Sequence, residues 1–119
     1  MPIQEYDGSV ARASTTSDVF NAIAEGQRRQ ILDALLAGEM PVGALVTELS
    51  MSQPQVSRHL RVLSEVGLVR FRASGRRRFY RFDPERLQPL HAWLAKYEQV
   101  LNDRMDRLDD YLTELQRRE

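Results

Sequence analysis

Apolar residues follow a helical spacing most clearly between residues 52 and 66. The apolar positions that carry this spacing are Val56, Leu60, Leu63 and Val66. Their intervals of four, three and three residues place them on one buried stripe of a helix. Ser52 is a good N-cap, Pro54 is compatible with the first turn, and Gly67 suits the left-handed residue that ends a helix. The pattern therefore predicts one amphipathic helix here.

The other faces of this helix carry side chains that can contact DNA. These candidate DNA-binding residues are Ser52, Gln53, Gln55, Ser57, Arg58 and Arg61. Gln and Arg present paired hydrogen-bonding groups that match adenine and guanine edges in the major groove, and a Ser hydroxyl can contact a base or a phosphate. The alternative is an ordinary surface helix, since a polar face with two arginines is common on soluble domains.

Two short strand-like runs follow the helix, at residues 68–73 and 79–82. They are joined by Ser-Gly-Arg-Arg-Arg, a glycine-containing hairpin signal. A helix followed directly by a basic hairpin is the arrangement of a helix-turn-helix with a wing. We therefore expect Arg76, Arg77 and Arg78 to bind DNA, mainly through phosphates or the minor groove.

The run SQPQVSRHLRVLSEVGLV followed by SGRRRFYRF resembles the ArsR/SmtB family of bacterial winged helix-turn-helix repressors. The similarity covers roughly residues 15–115. It implies a mostly α fold with a small β-hairpin wing, and a homodimer formed through the first and last helices. It also implies a repressor that binds a palindromic operator in double-stranded DNA and occludes polymerase. The operator, the target genes, any inducer, and the choice between repressor and activator stay open.

The helix at residues 52–66 corresponds to the recognition helix, which contacts DNA in a helix-turn-helix. The sequence before it predicts an arm and three short helices. Residues 1–16 are polar and without apolar periodicity, which indicates a flexible arm before a domain at 17–119. A first helix begins near residue 17, a second spans 28–36 and closes at Gly38, and a third begins at Pro41. The residues expected to face the core are Phe20, Ile23 and Ala24, then Ile31, Leu32, Leu35 and Leu36, then Val42, Leu45, Val46 and Leu49.

A final helix is predicted at about residues 84–117, capped by Asp83 and with a kink or restart at Pro89. Its apolar stripe continues for about seven turns, roughly 40 Å at about 1.5 Å per residue, too long for one small domain to cover. The residues expected to form the dimer interface are Phe20, Trp93, Tyr97, Leu101, Met105, Leu108 and Leu112. Two alternatives are a helix lying on its own domain and a small-molecule pocket lined by Trp93 and Tyr97.

Charge is segregated along the chain, although the totals are 17 basic and 17 acidic residues. Residues 1–52 carry 3 basic and 7 acidic groups, residues 53–82 carry 8 and 1, and residues 83–119 carry 6 and 9. All the basic groups of the middle segment are arginines, a pattern typical of a phosphate-binding surface. The alternative is that these arginines pair with acidic residues elsewhere in the fold.

Composition narrows the remaining function classes. A chain of 119 residues predicts one domain, and the lack of cysteine excludes disulfides and thiolate metal sites. No stretch has the apolar length of a membrane span or a signal peptide, so we expect a cytoplasmic protein without a membrane partner. No phosphate loop, nucleophile elbow or metal-binding spacing is present, so we expect neither an enzyme nor a cofactor. The alternative to DNA binding is a winged-helix module for protein–protein interaction, whose basic wing contacts an acidic partner.

The resemblance also shows which residues of this chain stand at the positions of the family's metal ligands. In thiol-type members the third helix carries two cysteines, and their positions hold Pro41 and Gly43 here. The other familiar site uses Asp and His pairs on the last helix, where this chain has only His91 with Pro89 at the Asp position. We therefore expect no transition-metal site and place the chain in an SdpR-like branch that lacks the metal-site residues. His59 belongs to the recognition-helix motif, with a structural or DNA-proximal hydrogen bond as its expected role.

Overall fold

The apolar spacing builds a mostly helical fold with one small sheet, as the sequence predicts. The computed structural model describes residues 16–118. Its helices are α1 (Thr16–Ile23), α2 (Gly26–Leu35), α3 (Val42–Leu49), α4 (Gln53–Glu65) and α5 (Gln88–Arg117), with a 3₁₀ turn at Pro84–Leu87. Its strands are β1 (Met40–Pro41), β2 (Val69–Ser74) and β3 (Arg77–Phe82), which form an antiparallel sheet in the order β1-β3-β2. The predicted arm lies outside the described residues, apart from Thr16.

The chain divides into two compact units, one ending at Gln88 and the other beginning at Pro89. The first unit holds α1 to α4 and the sheet around a single apolar core. The largest fully buried side chains of this core are Ile31, Leu45, Val56, Leu60, Leu63, Leu68 and Val69. Three of them come from the predicted stripe of α4, which confirms that this face of the helix packs inward.

The turn between α3 and α4 makes the two helices a helix-turn-helix pair. Ser50 has a left-handed backbone with φ of 55°, which ends α3 and redirects the chain. Met51 then inserts into the core, with 7% of its surface exposed. Pro41 lies immediately before the first residue of α3, so the predicted start of this helix is confirmed to within one residue.

The first two helices differ from the prediction in the faces they bury. On α1, Val19 and Ala22 are buried in the core and Ile23 packs against it as predicted, whereas Ala24 is exposed beyond the end of the helix. On α2 the expected inward position of Leu36 is wrong, because this side chain is 70% exposed. The helix ends at Leu35, and the amide N–H of Leu36 bonds the carbonyl of Asp33 in a tighter turn that rotates the residue outward.

The wing is the hairpin of β2 and β3, and its turn is shorter than the five residues predicted. Ser74 pairs with Arg77, so only Gly75 and Arg76 form the loop. Gly75 has φ of 65° at the first loop position, as a type II′ hairpin turn requires. The short strand β1 was not predicted, and it joins the wing by pairing with Phe79 and Tyr80 of β3.

The predicted final helix is divided into the 3₁₀ turn and α5. The Asp83 carboxylate accepts a hydrogen bond from the N–H of Glu85 at 3.3 Å, which confirms its capping role. Pro89 lies in the first turn of α5, so its predicted restart is also confirmed. None of the described side chains of α5 is buried, and its large apolar side chains from Trp93 to Leu115 are 41–55% exposed. Within residues 16–118, the structure has no helix with the length and apolarity needed to cross a membrane.

Candidate nucleic-acid interface

A reciprocal pair of hydrogen bonds fixes the start of α4. The N–H of Gln55 donates to Ser52 Oγ at 3.2 Å, and the N–H of Ser52 donates to Gln55 Oε1 at 3.0 Å. This capping box satisfies two backbone donors that the first turn would otherwise leave open. Because its amide oxygen is occupied, Gln55 cannot offer the paired groups that would read adenine in this conformation. The structure therefore shows Gln55 as a helix cap, and no contact in it tests the predicted base contact.

Beyond the cap, α4 presents an uninterrupted polar face to solvent. Gln53, Ser57, Arg58 and Arg61 are all exposed, in contrast to the buried stripe on the opposite side of the same helix. The four side chains lie within two and a half turns, a length that fits the width of a major groove of about 12 Å. These residues are therefore available to a ligand that approaches the protein from outside.

Two adjoining open grooves lie between α4 and the wing. The larger, of about 550 Å³, is lined by Ser57, Arg58, Arg61, Ser64, Glu65, Phe71, Arg78 and Tyr80. The smaller, of about 370 Å³, is lined by Pro41, Val42, Gly43, Gln53, Ser57, Arg76, Arg77, Arg78 and Tyr80. Ser57 and Arg78 line both grooves, so the recognition helix and the wing border one continuous surface. Every candidate DNA-binding residue except Ser52 and Gln55 contributes to it.

Aromatic rings of the wing hold its arginines. The guanidinium carbon of Arg78 lies 4.6 Å from the centre of the Phe71 ring, and that of Arg77 lies 5.2 Å from the centre of the Phe79 ring. Cation–π contacts of this kind orient an exposed guanidinium without removing its hydrogen-bond donors from solvent. Phe71 is a positioning residue that the sequence did not reveal, because the contact is a diagonal one across the strand pair.

Two arginines of the basic segment are paired with carboxylates, as the alternative interpretation of the charge proposed. Arg70 Nε lies 2.9 Å from Asp83 Oδ2, and Arg72 contacts both carboxylate oxygens of Glu39, at 2.6 and 3.1 Å. Within residues 16–118, by contrast, no carboxylate forms a salt bridge with the arginines that line the grooves. Positive charge on this side of the molecule is therefore concentrated on α4 and the wing tip.

His59 is buried on the inner side of α4 and confirms the structural role expected for it. Its Nε2 lies 2.9 Å from Gln27 Oε1, and its Nδ1 lies 3.5 Å from a guanidinium nitrogen of Arg28. Burial lowers the pKa of His59 below its ordinary value of 6.5, Arg28 and Arg58 lower it further, and Glu25 acts in the opposite direction. Gln27 and Arg28 were missed by the sequence analysis, because their partner lies about 30 residues away along the chain.

The expected dimer residues fall into two groups. Phe20 is half-buried on α1, whereas Trp93, Tyr97, Leu101, Met105, Leu108 and Leu112 are exposed along α5. The Trp93 and Tyr97 rings contact each other in a tilted arrangement, with centroids 5.3 Å apart. This pair lies one turn apart on α5, so it is a contact within the helix.

The residues at the family's metal positions are Pro41, which lies just before α3, and Gly43 and His91, which are exposed. In the part of the chain that the structure describes, no three His, Asp or Glu side chains lie close enough to hold a metal ion together.

A helix-turn-helix whose second helix shows a polar face beside a basic hairpin defines a winged helix-turn-helix DNA-binding protein. The chain is 41% identical over 78 residues to the HTH-type transcriptional regulator Rv2034 of Mycobacterium tuberculosis, across 66% of this chain and 73% of that protein. It is 30% identical over 81 residues to the transcriptional repressor SdpR of Bacillus subtilis, across 68% and 90%. Residues 25–70 also match the model of the bacterial regulatory protein family arsR. The chain therefore belongs to the ArsR family and is a DNA-binding transcriptional regulator.

Solved structures agree with this assignment. The homodimeric winged helix-turn-helix DNA-binding domain of Mb0332 from Mycobacterium bovis, determined in solution by NMR, is 38% identical to this chain. The match has a TM-score of 0.58 and covers 73% of this chain and 77% of that one. The resemblance stated from the recognition-helix and wing residues is thus confirmed, as is the fold class.

Proposed function

We propose that this protein is a homodimeric repressor that binds a palindromic operator, reads it with α4, holds the flanking backbone with the wing, and occludes polymerase. One observation carries the proposal: the exposed polar face of α4 and the unpaired arginines of the wing line one continuous open surface. A DNA duplex offers both partners that such a surface needs, since base edges lie in the groove and phosphates run beside it.

Within this surface, Gln53, Ser57 and Arg58 are the proposed base contacts. They project from the first two turns of α4, which is the part of a recognition helix that enters the major groove. Arg58 is suited to a guanine, whose O6 and N7 accept two hydrogen bonds from one guanidinium. Ser52 and Gln55 act indirectly, because their capping box sets the position of the helix end.

The remaining arginines are proposed to neutralise phosphates. Arg61 lies on the third turn of α4, and Arg76, Arg77 and Arg78 lie at the tip of the wing. Phosphate contacts contribute affinity on every sequence and release counterions, so they make binding depend on salt. This division assigns specificity to α4 and most of the sequence-independent affinity to the wing.

Dimerisation is proposed to occur through α1 and α5. Leu94, Leu101, Leu108 and Leu115 recur every seven residues along α5 and are 41–55% exposed in the single chain. A seven-residue repeat is the spacing that keeps one apolar seam against a partner helix. Covering a leucine is worth roughly 1.5 to 3 kcal/mol, and two-fold symmetry counts each contact twice. The homodimeric state of the Mb0332 domain supports this proposal.

The proposal includes no transition-metal effector. Pro41 and Gly43 have no side-chain ligand atoms, and His91 has no second histidine near it on α5. Any inducer would therefore act by other chemistry.

Binding of the protein to DNA upstream of its own gene tests the function. Footprinting should show two protected half-sites centred about 10 to 10.5 base pairs apart or a multiple of that spacing, as two-fold recognition requires. Fluorescence anisotropy should then give an affinity for this site at least about 1,000-fold above that for a scrambled duplex at the same salt concentration. Equal affinities for the two duplexes would reject sequence-specific regulation and favour a module for acidic partners.

A further inference from the structure

His59 connects the buried side of α4 to α2, directly behind the surface proposed to face DNA. The side chain is 8% exposed, and both of its ring nitrogens have partners on α2. Its neighbour Arg58 points outward into the larger groove. A change at His59 therefore acts on the helix that carries the proposed base contacts. One of these contacts, Arg58, is the adjacent residue along the chain.

The two partners match one neutral tautomer of the imidazole ring. A guanidinium has only N–H donors, so Arg28 must donate and His59 Nδ1 must accept. Nε2 then carries the proton and donates to Gln27 Oε1 at 2.9 Å. Both contacts are satisfied by one neutral tautomer. A second proton, on Nδ1, would place an N–H donor against the donors of Arg28.

Arg28 is not free to move away from such a proton. Its Nε donates to the carbonyl of Ala22 at 2.7 Å, and its second terminal nitrogen donates to the carbonyl of Asn21 at 3.3 Å. These carbonyls lie in the last turn of α1, where backbone acceptors lack partners within the helix. Arg28 thus closes the end of α1 and contacts α4 at the same time. The charged groups that influence His59 electrostatically are Arg28 on α2, Glu25 just before α2, and Arg58, which points away from it on α4.

We propose that His59 is a positioning residue for DNA reading: its neutral form holds α4 in the orientation that presents Ser57 and Arg58, and protonation releases that hold. This inference rests on the proposed function and adds a regulatory input to it. Because burial and Arg28 lower the pKa of His59 below 6.5, the neutral form predominates at neutral pH. Operator affinity should therefore be highest above pH 6.5 and fall as the pH drops through the lowered pKa of His59.

Operator affinity as a function of pH tests the proposal. Anisotropy titrations between about pH 7.5 and about pH 5 would compare the wild type, His59→Gln and His91→Gln at constant salt. The glutamine amide can donate to Gln27 but does not titrate, and His91 is the other histidine of the chain. The wild type and His91→Gln should lose up to about tenfold in affinity per protomer for each pH unit below the pKa of His59. His59→Gln should show a nearly flat profile over the same range.

Parallel profiles for the wild type and His59→Gln would overturn the proposal. If His59→Gln fails to fold, Gln27→Ala removes the same hydrogen bond from the α2 side. At neutral pH this variant should lower the operator-to-scrambled affinity ratio by about tenfold, the scale of one lost hydrogen bond. An unchanged ratio would also reject the role of His59. Failure of the proposed function has a different result, because wild-type protein would then fail to distinguish operator from scrambled DNA at neutral pH.

Discussion

Gln55 and Ser52 bond each other reciprocally at the start of α4, backbone to side chain in both directions, at 3.0 and 3.2 Å. The same glutamine had been expected to read a base edge. Its amide oxygen instead completes the N-terminal cap of the recognition helix. Gln55 therefore contributes to the stability and orientation of α4, and direct reading is left to the exposed residues around it.

The capping role predicts how two substitutions at Gln55 should differ. Gln55→Ala should lower the free energy of unfolding by about 0.5 to 1.5 kcal/mol, the net worth of one hydrogen bond. Gln55→Glu should keep most of the stability, because glutamate also completes a capping box. Urea denaturation of both variants measures the difference. A Gln55→Ala variant as stable as the wild type would show that the reciprocal bond contributes nothing.

The arginines at the tip of the wing should differ from its two carboxylate-paired arginines in their effect on the salt dependence of DNA binding. Arg76→Ala should reduce the slope of log affinity against log salt concentration by about one per protomer, because one phosphate contact is lost. Arg70→Ala is the matched control, since Asp83 already binds that guanidinium at 2.9 Å. It should leave the slope unchanged while lowering stability. Titrations on the operator at several salt concentrations distinguish the two, and a changed slope only in Arg70→Ala would reverse the assignment.

The apolar seam of α5 should control assembly and operator binding together. Leu101→Glu combined with Leu108→Glu should produce a monomer that loses most of its specific affinity, because each leucine contributes roughly 1.5 to 3 kcal/mol when covered. Gln99→Glu combined with Thr113→Glu adds the same charge on the polar side of α5 and should remain a dimer. Sedimentation and DNA titration of the same samples measure both effects. A wild-type monomer at micromolar concentration would refute the dimer, and so would a mutant monomer that binds the operator undiminished.

The family's metal positions hold only one residue with ligand atoms, His91, which predicts that transition metals have no effect. Calorimetric titration of tag-free protein with zinc, cadmium, nickel or copper should show no tight stoichiometric binding. None of these ions should release the operator. Tight zinc binding that disappears in His91→Ala would contradict the prediction directly.

The sequence predicted those features that depend on local pattern. The stripe at Val56, Leu60 and Leu63, the left-handed Gly67 and the capping residue Ser52 are all properties of a few neighbouring residues. The capping box itself had a local signature, because Ser-x-x-Gln is its sequence form. That signal was present and was given a different interpretation.

Features that depend on tertiary pairing could not be predicted in the same way. Arg72 meets Glu39 across 33 positions, and His59 meets Gln27 across 32, so no local pattern indicates either contact. The two-residue strand β1 is too short for any periodicity and exists through its pairing with β3. Leu36 was misplaced because one residue at a helix end decides whether an apolar side chain faces the core or solvent.

The central claim is that α4 contacts bases and the wing contacts phosphates. The affinity of Arg58 variants for operator and scrambled duplexes at one salt concentration tests this claim most directly. Arg58→Ala should cost about 1 to 3 kcal/mol on the operator and much less on the scrambled duplex, because the lost contact is to a base. Arg58→Lys keeps the charge but not the forked donor pair, so it should lose operator affinity and retain scrambled affinity. Equal losses on both duplexes in Arg58→Ala would contradict base reading by α4.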